Sequence, residues 1–344
     1  MRSVTRPPSA VLGDDWECRQ PASVTPERVR SPVRDHRLET TFTGGVPAYS
    51  CAMNETDVTR GDRVLRVRDA GDPQGRVVMY FHGTPGSRLD LSFGEQAAAQ
   101  CGVRLVSFDR PGYGGSTTAA FGLESIARDA QAVADQLGVN QFATLGQSGG
   151  GPFSLATSAV LGDRVVKVGV ASGAGPFQLV PGAIDSLDEN DRVAVALLPG
   201  DPVGAANGFA AGFEPLVQLS REASPSEMAA AFHDQLSPRD RKVMLEDRFS
   251  SAFVTTMREA LCQGTMGGGW DNVSWTGPWD VDVTTVDCPV LLWYGDEDRF
   301  APLAHGLWLR DHITNARLIQ RTGEGHLGFY EHFNEMIDEL TRTE

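Results

Sequence analysis

Three short turns hold the side chains able to do chemistry together. Gly146-Gln147-Ser148-Gly149-Gly150 sets a serine in a run of glycines, Gly295-Asp296-Glu297-Asp298 offers carboxylates, and Gly323-Glu324-Gly325-His326 offers an imidazole. A serine hydroxyl is a weak nucleophile at neutral pH and needs a base within hydrogen-bond reach. A histidine supplies that base, and a carboxylate fixes its tautomer and stabilises the imidazolium that forms. The pattern selects His326 as the base for Ser148. Asp296 and Asp298 share one turn, and either is able to orient the ring. G-x-S-x-G is a short pattern in a chain with 38 glycines, so the surrounding elements decide its meaning.

Each of these turns follows a segment that reads as a strand. Val77 to Phe81, Val103 to Phe108, Gln141 to Leu145 and Val165 to Ala171 are apolar runs, as expected for strands covered on both faces, and Pro289 to Tyr294 and Ala316 to Gln320 read as further strands. Arg63 to Arg68 alternates like an edge strand. Between the runs, Ile126, Ala130, Val133 and Leu137 have helical spacing, with Gly138 as the stop. Strands alternating with helices predict an α/β fold: a mostly parallel central sheet flanked by helices. In such sheets ligands bind at the carboxyl ends of the strands, where Ser148, the acidic turn and His326 all fall.

The rhythm breaks between about Phe177 and Val286, where only helical segments are expected. Ser224-Pro225-Ser226-Glu227 and Ser237-Pro238-Arg239-Asp240 are helix starts with a capping serine and proline at the first helical position. An insertion of this length in a compact domain usually serves a site. Residues 1–45, rich in Pro, Arg, Ser and Asp, read as a disordered N-terminal extension.

A net charge of −15 with only two lysines, Lys167 and Lys242, argues against a basic surface for nucleic acid or anionic membrane. Five widely spaced cysteines without a C-x-x-C predict neither a disulfide framework nor a zinc site. No apolar run approaches the roughly 18 residues of a membrane span, and no hydrophobic stretch follows the N-terminal arginines. A cytoplasmic protein with a small-molecule substrate, no cofactor and no metal is expected.

The order Ser, Asp, His, together with "HGTPG" (82–86), "DRPGYGGS" (109–116), "GQSGGG" (146–151), "GDEDRFAP" (295–302) and "GEGH" (323–326), resembles the α/β-hydrolase fold superfamily from about residue 60 to the C-terminus. The resemblance implies a core of residues 46–176 and 286–344, with a helical cap, 177–285, inserted after the sixth strand. The family spacing Gly-x-x-Asp-x-x-x-Pro selects Asp298 over Asp296, with Pro302 in register. It implies a Ser148–His326–Asp298 triad working through an acyl-enzyme. The backbone N–H groups of Gly149, at a helix N-terminus, and Thr84 would form the oxyanion hole.

Epoxide hydrolases share the His-Gly-x-Pro stretch but attack with an aspartate and use cap tyrosines; here the nucleophile position is serine and the insertion has no tyrosine. Proline iminopeptidases are closer, and Asp185, Asp188, Glu189 and Asp191 are the cap carboxylates such an activity would use. C–C bond hydrolases and thioesterases share the triad, and a ligand sensor on the same scaffold is the non-enzymatic alternative. Cap residues Phe177, Phe209, Phe213, Phe232, Phe249, Phe253, Met228, Met257 and Trp270 divide between core and an apolar pocket. The expected activity is a carboxylesterase or lactonase on a small to medium apolar substrate. "GTMGGGW" (264–270) reads as a glycine-rich loop with no phosphate-binding role.

Overall fold

The computed structural model describes residues 52–342. The expected N-terminal extension, Cys18 and Cys51 lie outside these residues. The chain runs β1 (Ala52–Arg60), β2 (Arg63–Gly71), β3 (Arg76–Phe81), α1 (Glu95–Gln100), β4 (Val103–Phe108), α2 (Leu123–Gln136), β5 (Phe142–Gln147), α3 (Gly151–Leu161) and β6 (Val165–Ala171). Six helices follow: α4 (Glu189–Val195), α5 (Pro202–Glu222), α6 (Pro225–Ala231), α7 (Pro238–Met244), α8 (Asp247–Ala260) and α9 (Met266–Thr276). The chain then returns as β7 (Val290–Gly295), α10 (Leu303–His312), β8 (Ala316–Arg321) and α11 (Gly328–Thr341).

The strands form one eight-stranded sheet in the order β1-β2-β4-β3-β5-β6-β7-β8. From β4 through β8 all neighbours are parallel, while β1–β2 and β2–β4 pair antiparallel. Side chains alternate across the central strands, and each face has its own core. Met79, Phe81, Val106, Phe108, Leu292 and Tyr294 pack with α2, α3 and α10 on one face. Val78, Tyr80, Leu105, Leu291 and Trp293 pack with α1 and α11 on the other. Helix α2 buries Ile126, Ala130 and Val133, and Gly138, at φ 67°, lets the Val139 N–H turn back onto Ala134 O. These two cores hold the carboxyl ends of β3, β5, β7 and β8 at one edge.

Two expectations need correction. Arg63–Arg68 is not at the sheet edge: β1 covers it residue for residue, from Arg60 opposite Arg63 to Ala52 opposite Gly71. β1 carries Asn54, Glu55, Thr56 and Asp57 and, among its described side chains, buries only Val58, the polar character that guards an exposed edge. "GTMGGGW" is not a loop, because Met266 onward is helix α9. Its glycines let the helix backbone lie close to its neighbours: a Cβ at Gly268 would meet the Phe213 ring at 2.7 Å, and one at Gly269 would meet Ala206 O at 2.3 Å. Tertiary packing here outweighs the poor helix propensity of glycine.

Both capping boxes form, Ser224 with Glu227 and Ser237 with Asp240. Among the described residues no helix is long and apolar enough to cross a membrane.

Candidate active site

β5 ends at Gln147, the chain tightens into a single 3-10 turn over Ser148–Gly150, and α3 starts at Gly151 with Pro152 in its first turn. Ser148 sits at φ 53°, a left-handed conformation that costs a non-glycine residue of order 1–3 kcal/mol and is held here by the packed turn. The turn closes so tightly that a Cβ at Gly146 would lie 2.3 Å from Gly150 O, and one at Gly150 would lie 2.1 Å from Phe81 O. The serine is thereby lifted off the sheet edge and left half-buried, facing a cavity.

His326 and Asp298 meet on the far side of that cavity. Nδ1 of His326 lies 2.9 Å from Asp298 Oδ2 and 3.1 Å from Oδ1. Asp298 Oδ1 also accepts the Phe300 and Ala301 N–H groups, both at 2.9 Å, so the carboxylate is fixed by its own turn. Asp296, the other acid of the turn, is exposed and accepts the Gly323 N–H instead. Burial alone would lower the His326 pKa, but the charge and hydrogen bond of Asp298, aided by Asp240, hold it above the ordinary histidine value. Burial would raise the Asp298 pKa, but His326 opposes it and holds the carboxyl below its usual range.

No hydrogen bond joins Ser148 to His326. The polar partner of His326 Nε2 is Gln147 Nε2 at 3.4 Å, a long contact. Such catalytic hydrogen bonds are often formed only when substrate is bound.

Thr84 stands beside Gly149: a Cβ on Gly149 would lie 2.2 Å from Thr84 Oγ1. Among the described residues nothing accepts the Thr84 backbone N–H. His82, expected to shape the strand end, is buried and shows both ring nitrogens engaged: Nε2 accepts the Arg110 N–H at 3.2 Å, and Nδ1 lies 2.9 Å from Gly83 O. Burial and the Arg110 charge drive its pKa well down, so it is neutral.

The cavity, about 120 Å³, is lined by Gly83, Thr84, Gln147, Ser148, Phe300, His326 and Leu327 from the core segments, and by Phe232, Leu236, Met244, Phe253, Thr256 and Met257 from the insertion. Of the aromatic and methionine residues named from sequence, Phe232, Phe253 and Met257 reach it. Phe249 and Phe209 are buried in packing clusters instead. Asp185, Asp188, Glu189 and Asp191 gather at the start of α4, where Asp188 caps the helix through the Asp191 N–H; none lines the cavity.

Sequence reasoning missed Asp90. It lines the same cavity, accepting Tyr80 OH at 2.5 Å and Tyr330 OH at 3.2 Å, and burial raises its pKa. No local pattern marks it, since its partners lie on β3 and α11.

The family model described as alpha/beta hydrolase fold matches residues 76–333, and the chain belongs to this family. It is similar to the 2-hydroxy-6-oxononadienedioate/2-hydroxy-6-oxononatrienedioate hydrolase of Klebsiella pneumoniae, 25% identical over 82% of this chain and 92% of that protein. It is also similar to the non-heme haloperoxidase of Rhodococcus erythropolis, 24% identical over 73% of this chain and 86% of that protein. A hydrolase of known structure from Pseudomonas aeruginosa shares the fold with a TM-score of 0.60 at 18% identity, covering 84% of this chain and 99% of that one.

Proposed function

We propose that this hydrolase-family protein is a serine hydrolase that cleaves carboxylic esters or lactones of small to medium apolar acyl groups. The observation that carries the reading is the buried Asp298–His326 contact at 2.9 Å, on a cavity that also holds the strained Ser148. His326 Nε2 takes the Ser148 proton as Oγ bonds to the ester carbonyl carbon. The resulting oxyanion is held by the Thr84 and Gly149 N–H groups. When the C–O bond breaks, His326 returns the proton to the leaving alkoxide, and an acyl-Ser148 remains. Water, deprotonated by the same imidazole, releases the acid. Residues 177–285 act as the cap that shapes the pocket, and the chain works in the cytoplasm on a small-molecule substrate.

The Klebsiella relative, by its name, acts on a dicarboxylate, which gives a C–C bond hydrolase as the second reading. Among the described residues no Lys or Arg lines this cavity, and Asp90 contributes an acidic group. A dianion would enter without a counter-charge, so a neutral substrate suits the cavity better. The aminopeptidase reading loses support because its expected carboxylates stand away from the cavity.

A substrate panel separates these readings. The purified chain is offered short-chain nitrophenyl esters, simple lactones, thioesters, prolyl arylamides and ring-opened vinylogous 1,5-diketo acids. Esters or lactones should give the highest kcat/KM. Turnover confined to the diketo acids or the arylamides would replace the ester assignment, and stoichiometric acylation without turnover would favour a sensor.

A further inference from the structure

Two buried carboxylates of the helical insertion bond to two different parts of the reaction centre, the His326 turn and the Thr84 loop. Asp240, at the start of α7, is 2% exposed. Its Oδ2 accepts the His326 backbone N–H at 3.0 Å and its Oδ1 accepts the Leu327 N–H at 2.8 Å. It occupies the space a side chain at Gly325 would need, for a Cβ there would lie 2.0 Å from Asp240 Oδ2. The Ser237 N–H, in the capping box, gives the same carboxylate a third donor.

Asp271, on α9, is fully buried. Its Oδ2 accepts Thr84 Oγ1–H at 2.6 Å and Tyr113 OH at 2.7 Å. Arg110 donates to it twice, Nε to Oδ1 at 2.7 Å and Nη2 to Oδ2 at 2.5 Å. The same guanidinium donates to His82 O at 2.7 Å and Gly83 O at 3.0 Å. The Thr84 loop is therefore held by its hydroxyl and by the two carbonyls before it.

We propose that Asp240 and Asp271 are positioning residues: Asp240 sets the His326 turn and Asp271 sets the oxyanion loop at Thr84, so that the reaction centre is assembled only while the insertion is docked. The proposal rests on the serine-hydrolase reading for its catalytic consequence, though not for its geometry. A cap that swung away as a free lid would take both carboxylates with it and leave the His326 and Leu327 amides and the Arg110 charge without their partners. The insertion is thus a part of the catalytic framework, with α7 and α9 in place during turnover.

The charge of Asp240 also bears on the imidazole. The groups around His326 are Asp298 at Nδ1, Gln147 at Nε2, the Phe300 ring 5.0 Å away and Asp240 behind its backbone. Beyond them Arg239, next to Asp240, pairs with Glu324 and Glu331, and His332 contacts Glu324. Removing the Asp240 charge takes away one of the negative charges that favour the imidazolium.

The test compares wild type with Asp240→Asn, Thr84→Val and Thr84→Ser. Active sites are counted with a fluorophosphonate, kcat and KM are measured per active site, and the His326 ring is titrated by NMR. Asp240→Asn should lose ~10- to 100-fold in kcat per site with KM nearly unchanged, and His326 should titrate at lower pH. Thr84→Val, which severs the link to Asp271 without stranding Arg110, should lose kcat similarly, and Thr84→Ser should recover most of it. Unchanged kcat per site in Asp240→Asn and Thr84→Val, or a drop explained wholly by fewer sites with the His326 titration unmoved, would overturn the proposal. Should wild type prove unreactive, the serine-hydrolase reading fails alone. The NMR titration then decides for Asp240 by itself: a fall in the His326 pKa supports its placement, and an unmoved pKa removes it.

Discussion

Asp298 Oδ2 stands 2.9 Å from His326 Nδ1, with the Asp298 side chain fully buried and the imidazole almost so. The contact fixes the ring with Nε2 toward the cavity and makes the imidazolium easier to form. Its electrostatic sign is testable, because in the proposed mechanism the base is the neutral ring.

The His326 pKa is raised in the folded protein, so kcat/KM should climb with pH through an acid limb centred above the ordinary histidine value of about 6.5. Asp298→Asn removes the charge that lifts it. Its residual acid limb should lie at lower pH, and kcat should fall by roughly 10⁴ through loss of the correct tautomer. Profiles of kcat/KM against pH check both statements. An acid limb in the same place in both proteins contradicts the assignment.

Gly149→Ala tests the oxyanion hole. The new methyl would meet Thr84 Oγ1 at 2.2 Å and Thr84 Cβ at 2.8 Å, so the two N–H donors of the proposed mechanism must move apart. A loss of about 10²–10³ in kcat with little change in KM is expected from steady-state kinetics. A matching rise in KM at constant kcat would place the residue in ground-state binding instead.

Phe253 is one of the walls of the cavity. Phe253→Ala should shift ester preference toward longer acyl chains. Each added methylene that becomes buried is worth about 0.8 kcal/mol, or roughly fourfold in kcat/KM. A chain-length series of nitrophenyl esters reads the shift directly, and an unchanged optimum would remove Phe253 from the acyl pocket.

Gly269→Ala tests the packing of α9 on α5. A Cβ would meet Ala206 O at 2.3 Å, and backbone cannot yield as a flexible side chain can. The cost should be about 1–3 kcal/mol of stability in urea unfolding, despite the better helix propensity of alanine. Stabilisation would mean that α5 and α9 have room to separate.

How much of this was legible in the sequence follows from where the partners lie. The strands from β3 to β7 are legible because burial on both faces leaves a largely apolar run, while β8, at the other sheet edge, is only partly buried. β1 did not, because an edge strand made of Asn, Glu, Thr and Asp looks like loop. The elbow at Ser148, the turn at Asp298 and the His326 turn are local patterns, and the structure brings the last two into contact. α9 was hidden by its glycines, whose value lies in the close approach of Tyr113, Phe213 and Ala206. Asp240 looked like a helix cap and nothing more, and it is that as well. Its second task, and those of Asp90 and Asp271, depend on residues far away in the chain, which no local spacing encodes.

The proposed mechanism stands or falls with Ser148 as the nucleophile. Treating the wild-type chain and Ser148→Ala with a fluorophosphonate and mapping the adduct by peptide mass spectrometry tests it most directly. One adduct on Ser148 is expected in the wild type, with loss of ester turnover as it forms, and neither labelling nor turnover in the variant. Labelling of Ser148→Ala to the same extent, or an unlabelled wild type that still turns over esters, would contradict it.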